Sequence, residues 1–432
     1  MARSFTSPQP NVPGQGILAG YSLRFWGFVV AIGAATGLAG AAFIALLNLV
    51  ERLAWRRPAS QFLAAVTAAS PGRDLFVLLA AGAIAGAGAL LVRRLRGGRL
   101  ELLPSLVRGT LSIITVGMGA SLGREGAPQL AGAAFASELC ERSKTISRSQ
   151  RRLLVAAGAG AGMAAVYNVP LGGALFALEV LLGSLALPLV LPALLTSLIA
   201  TAVAWIVIPT RATYLVPSYS VAGREIVWAA LIGPLAGLTA VLWVRLVARA
   251  NRSRPARQTA RVLAPIVIFT ALGALAIQYP QLLGNGKELA QLAFVGKLSV
   301  GLLAVLFILK PLVTAACLGS GAPGGLFTPT LVLGVLFGAL LGHAWSDIWP
   351  GSPIGSYALI GAGGVLAAAM QGPLAATVLM LELTHSSGSL TVPLLLAAAE
   401  ATVVARLLGA PSIYSARLAE SGPPAGQRVP IS

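Results

Sequence analysis

Charge is scarce in this chain. Only 10% of its 432 residues are Asp, Glu, Lys or Arg, where a soluble globular chain carries about 25%, so an ordinary water-facing surface is excluded. Acid is scarcer still, since 13 acidic residues stand against 31 basic ones. The two cysteines, Cys140 and Cys317, lie far apart without a CxxC partner, which excludes a disulfide framework and a cysteine metal site. The two histidines, His343 and His385, leave a zinc or haem centre almost without ligands. No nucleophile–base pair or metal cluster is legible, so neither enzyme chemistry nor a cofactor is expected. No stretch reads as a strand. The N-terminal MARSFTSPQPNVPGQG is polar and lacks the short apolar core of a cleavable signal peptide.

What the chain has instead is apolar length. Hydrophobic residues make up 56% of it, and 50 glycines accompany them. Small residues are the packing device of helices in lipid, where hydrophobic drive between helices is absent. Runs at 22–50, 75–92, 187–209, 226–249, 260–278 and 298–317 are long enough to span a bilayer. Shorter or Gly/Pro-interrupted pieces lie at 105–122, 127–139, 152–167, 170–183, 327–345, 355–370, 373–384 and 389–408. Broken segments of this kind are tolerated in a membrane only where exposed backbone lines a cavity. The expected fold is therefore an all-α, multi-pass membrane protein with many tilted and broken helices.

The net charge of +18 does not indicate nucleic acid. It collects in short segments between apolar runs, such as 51–58, 92–99, 141–152 and 244–261, as expected of loops on the cytoplasmic side that meet lipid headgroups. The expected layout is a polar tail (1–20), a first transmembrane half (21–209), a second half (210–409) containing the basic linker 244–261, and a short terminal segment (410–432) with no room for an appended regulatory domain.

The halves resemble each other. GAGAGMAAVYNVPLGGALFALE (158–179) aligns without a gap on GAGGVLAAAMQGPLAATVLMLE (361–382), matching Pro170 to Pro373 and Glu179 to Glu382. Slipped by one residue, the same shift sets GREGA (123–127) on GLFTP (325–329). Repeats with interrupted helices at corresponding places point to a transporter's binding site, which is then expected where these two segments meet.

The chemistry of such breaks favours an anion. A helix start presents unpaired N–H groups and about half a positive charge, and two starts aimed at one point form an anion site without a cationic side chain. Gly123, Gly126, Gly324 and Gly325 permit close backbone approach, and Pro329 suits a first helical turn. Glu125 at such a start can occupy the anion position itself and leave when protonated, as a gate and proton carrier. It can also be a helix-start acid that offsets the dipole. Arg124 reads as a counter-charge or a snorkelling side chain.

GREGA (123–127), SGAPGGLFTP (320–329) and SIYSARL (412–418) resemble, in order, three hallmark segments of the CLC family of chloride channels and chloride/proton exchangers. The likeness runs from about residue 20 to 420. It implies an inverted repeat, a homodimer with one pore per subunit, and transport of chloride or another small anion, exchanged for protons. Glu125 would be the external gate, and Gly126, Ala127, Leu326, Phe327 and Tyr414 would bind the anion. The compact loops suggest a bacterial inner membrane.

Three features depart from the family pattern. The GSGIP segment, whose serine holds the central anion, has no counterpart, and Ser105 and Ser112 do not sit in that motif. Val180 occupies the position of the internal proton-transfer glutamate, directly after Glu179. Ala127 replaces a proline and restores an N–H, a variation that resembles the fluoride-exporting branch. An uncoupled anion channel, fluoride/proton exchange, a cation-coupled solute carrier and a non-transporting scaffold remain alternatives. A carboxylate facing unwound carbonyls would mark the solute carrier. Glu179 and Glu382, at equivalent repeat positions, are expected in helix-end or packing roles, and Lys310 and Glu400 either pair or reach the interface. GNGKE (284–288) lacks the phosphate-loop pattern, and the Gly/Ala runs at 79–89 and 157–165 are packing surfaces rather than dinucleotide loops.

Overall fold

A computed structural model describes residues 21–57, 61–95, 101–143, 145–219, 221–386 and 388–418; the tail 1–20 and residues 419–432 lie outside the described residues. The first half comprises α1 (Leu23–Trp55), α2 (Phe62–Thr67), α3 (Pro71–Arg94), α4 (Leu102–Gly117), α5 (Gly126–Glu141), α6 (Arg148–Tyr167), α7 (Pro170–Leu175) and α8 (Leu187–Ala204). A π-helical stretch, Phe176–Leu182, continues α7. The second comprises α9 (Gly223–Arg252), α10 (Gln258–Ala276), α11 (Lys287–Phe294), α12 (Val300–Gly319), α13 (Phe327–Ile348), α14 (Ile354–Met370), α15 (Pro373–Thr384), α16 (Thr391–Leu407) and α17 (Ile413–Leu418). Among the described residues there is no strand, only an isolated antiparallel bridge between Gly123 and Gly325.

Eight helices of the described residues are long and apolar enough to cross a membrane. Six correspond to the long apolar runs of the sequence. The other two contain α13 and α16, which the sequence presents as shorter pieces; Gly338 in α13 is no break, because it sits against the Tyr357 carbonyl and Ala358 of α14. Leucines such as Leu231, Leu235, Leu238 and Leu242 are exposed along α9, a surface suited to lipid and costly in water. The chain is thus an integral, multi-pass membrane protein.

The halves repeat in their packing as well as their sequence. Gly37 of α1 meets α8 so closely that a Cβ there would lie 2.5 Å from the Ala200 carbonyl oxygen and 2.8 Å from Val203 Cβ. Gly237 of α9 meets α16 likewise, at 2.7 Å from the Ala401 oxygen and 2.9 Å from Val404 Cβ. Such glycines let helix backbones approach where lipid supplies no hydrophobic drive. Helices α6 and α14 both end in a left-handed residue, Asn168 (φ 58°) and Gln371 (φ 62°). A proline-led helix, α7 or α15, then follows.

Two acids lock the halves reciprocally. Glu179 accepts from the amides of Leu374 (3.3 Å) and Ala375 (2.6 Å) at the start of α15. Glu382 accepts from those of Leu171 (3.1 Å) and Gly172 (2.6 Å) at the start of α7. Each acid therefore caps the other half's helix rather than merely ending its own. Glu382→Ala is expected to lower stability by about 1–2 kcal/mol, read as an earlier thermal unfolding midpoint of the detergent-solubilised protein; an unmoved midpoint would deny the cap any energetic role.

A candidate anion site where two helix starts meet

The segments before α5 and α13 are drawn together by backbone. Gly123 N–H donates to the Gly325 oxygen at 2.8 Å, and Gly325 N–H donates to the Gly123 oxygen at 2.7 Å. Glycine leaves room for what lies over the bridge. A Cβ on Gly123 or Gly325 would overlap the Glu125 carboxylate, and one on Gly126 would press within 3.0 Å of the Gly325 nitrogen. The two helix starts face one another across this contact.

Glu125 lies between them, 1% exposed. It is the N-cap residue of α5, yet its side chain makes no capping bond to its own helix. Its Oε1 accepts instead from the Phe327 amide at the start of α13, at 2.7 Å. Its Oε2 accepts from the hydroxyls of Tyr167 at 3.0 Å and Thr328 at 3.1 Å. These hydroxyl oxygens are themselves 2.5 Å apart. An ionised carboxylate buried in lipid is tolerable only with such donors, and every donor it uses belongs to α6 or the first turn of α13. A dipole-compensating acid on its own helix would not be arranged this way.

Arg124 points the other way. Its guanidinium lies 5.2 Å from the Tyr167 ring centroid, and its buried Nε has no hydrogen-bond partner. Arg124 and Tyr167 line a cavity of about 490 Å³, together with Glu51, Arg211, Lys287 and Glu288. The cavity wall includes GNGKE, where Gly284 (φ 65°) and Gly286 (φ 89°) adopt left-handed conformations that cost L-residues about 1–2 kcal/mol. Lys310 fixes that loop from beneath, donating from Nζ to the carbonyls of Leu282 (2.8 Å) and Gly284 (2.9 Å). Lys310 therefore anchors a loop and does not pair with Glu400, which rests against Gly233 between α9 and α16.

Burial pushes Lys287 down to about 8, with Arg124 the next contributor. Lys287 is therefore charged below about pH 8 and neutral above it. In a Glu125→Gln background, where the gate does not titrate, chloride uptake from the cavity side at limiting chloride is expected to fall between pH 7 and pH 9, and Lys287→Gln should make that step smaller. A pH dependence unchanged by Lys287→Gln would assign the fall elsewhere.

Of the residues singled out in sequence, Glu125, Gly126, Leu326 and Phe327 converge here, and Ala127 is buried in the first turn of α5. Tyr414, on α17, stacks edge-on to Phe176 with centroids 5.1 Å apart. Ser105 and Ser112 are both buried on α4. Val180 lies against Gly372. Tyr167, Thr328 and the charged cavity were not foreseen. A tyrosine closing a helix rich in alanine and glycine, and a threonine inside GLFTP, were the available signals.

The model of the voltage-gated chloride channel family matches residues 92–406. A ClcB-like chloride channel protein of Ralstonia nicotianae is 34% identical over 75% of this chain and 77% of its own length. The H(+)/Cl(-) exchange transporter ClcA of Citrobacter koseri is 33% identical over 71% of this chain and 67% of its own. Among solved structures, a slow cyanobacterial Cl-/H+ antiporter superposes with a TM-score of 0.81 at 22% identity, covering 93% of this chain and 99% of that one. A CLC-type fluoride/proton antiporter gives 0.68 at 20% identity, covering 91% and 97%. The all-α architecture, the meeting of GREGA with GLFTP and a family match across most of the chain lead to one assignment: this protein belongs to the voltage-gated chloride channel (CLC) family.

Proposed function

We propose that this protein moves chloride or another small anion across the membrane in exchange for protons, with Glu125 as the gate. The observation that carries the reading is the bond between the Glu125 carboxylate and the Phe327 amide, an anion seated on the opposite half's helix start. An anion arriving at that start finds the donors the carboxylate uses. Protonation removes the charge that holds Glu125 there, and the neutral side chain yields its place and carries a proton. Leu326 and Phe327, with Gly126, Ala127 and Tyr414, form the anion-binding set in this reading.

A cation-coupled carrier is disfavoured because Glu125 faces N–H and O–H donors rather than carbonyls. An uncoupled channel is the second reading, favoured by Val180, which offers no ionisable group beside Glu179 for proton delivery from the inside. We assign the chain a homodimeric state in a bacterial inner membrane, surrounded by lipid whose anionic headgroups meet the basic loops. We take its two transmembrane halves to divide at about residue 210. The purified protein, reconstituted in vesicles with a chloride gradient, should release chloride and take up protons in a fixed ratio, with nitrate and fluoride tested beside it. Chloride release without proton uptake would establish the channel; no anion release would defeat both readings.

A further inference from the structure

The donors around the Glu125 carboxylate are not all backbone. Oε1 takes a peptide N–H, but Oε2 takes two side-chain hydroxyls, from Tyr167 on α6 and Thr328 on α13. Both residues are buried, Tyr167 at 2% and Thr328 at 1% exposed. The tyrosine ring is held in place, tilted against Phe327 at 5.6 Å between centroids and capped by the Arg124 guanidinium on its cavity side.

When a carboxylate leaves a pocket of this kind, its donors remain. The Phe327 N–H and one of the two hydroxyls are then buried without an acceptor, since the hydroxyl oxygens lie 2.5 Å apart and one can donate to the other; each orphaned donor carries a cost comparable to a lost hydrogen bond. A small anion entering the pocket satisfies them. Resting on the gating role of Glu125, we infer that the Tyr167 and Thr328 hydroxyls are specificity-determining ligands of the transported anion: they hold the gate while it is closed and pass to the anion when it opens. The ligand class is a small, compact anion that accepts several hydrogen bonds at once, such as chloride, and the hydroxyl pair favours it over larger, weakly accepting anions.

The test separates gate from ligand by removing the gate. In purified Glu125→Ala protein, chloride binding is measured by titration calorimetry, alone and combined with Tyr167→Phe or Thr328→Val. Tyr167→Phe keeps the ring contacts, and Thr328→Val keeps the shape. Each is expected to weaken chloride binding on the order of tenfold, the value of one hydrogen bond to a charged group. Thr328→Ser, which retains the hydroxyl, should recover most of the loss. In vesicles, the same two hydroxyl-free variants should narrow the preference for chloride over nitrate. Chloride binding unchanged by both variants, or lost equally in Thr328→Val and Thr328→Ser, would overturn the ligand assignment while leaving the gate intact. Failure of Glu125→Ala itself to bind or pass chloride would instead strike the underlying reading.

Discussion

Glu125→Gln, reconstituted in vesicles, is expected to abolish chloride-driven proton uptake while chloride continues to move. Glutamine keeps the side chain's size but carries neither charge nor a titratable proton. Hydrogen bonds to a charged group contribute roughly 1.5–3 kcal/mol each, against about 1 kcal/mol for neutral pairs, and Glu125 makes three of them. The neutral amide also turns an NH₂ group toward donors on at least one side. Its hold on the pocket should therefore be weaker by several kcal/mol, an upper bound because such bonds are not additive. The measurement is the proton-to-chloride flux ratio, which should fall to background. A ratio equal to wild type would remove Glu125 from its role, whatever the resemblance around it.

Gly325→Ala should produce a similar open state by a different route. Its Cβ would occupy the space of Glu125 Oε1 and lie 2.9 Å from the Gly126 nitrogen. The carboxylate is the end of a flexible side chain and can be pushed out; the Gly126 backbone nitrogen must shift as well, and that is the costlier of the two movements because it belongs to the start of α5. No positive φ obstructs the change, since Gly325 is not among the left-handed glycines. Chloride flux is expected to rise on the order of tenfold, equivalent to about 1.4 kcal/mol less hold on the gate, with coupling to protons reduced. Gel filtration of the purified variant distinguishes eviction of the gate from loss of fold. Wild-type rate and coupling in a well-folded variant would show that the carboxylate does not occupy that cradle during transport.

The two experiments bear on one structural relation, the contact between GREGA and GLFTP. Its partners were legible because they fall in corresponding places of an internal repeat, and because glycine clusters mark points of close backbone approach. The acids at 179 and 382 were legible as helix-end residues, yet their reciprocal capping of α15 and α7 was not. The bridging of Glu125 to Tyr167 and Thr328 was not legible either. Its partners stand 42 and 203 positions away in the chain, and nothing in local propensity links them. GNGKE shows the same limit: lacking the phosphate-loop pattern, it walls the charged cavity while Lys310, from another helix, holds the carbonyls of Leu282 and Gly284 at its start.

Scarce charge and long continuous apolar runs determined that this chain lives in lipid and is built of helices, because such runs lack the apolar/polar alternation of a barrel and a helix is then what satisfies the backbone hydrogen bonds there. Glycine and proline placement determined where those helices stop. Only the tertiary structure decided whom the buried carboxylate serves. A helix-start acid obeys its own helix by default, over one turn of chain; here the Gly123–Gly325 bridge brings a second helix start within hydrogen-bonding distance, and the carboxylate binds that one instead.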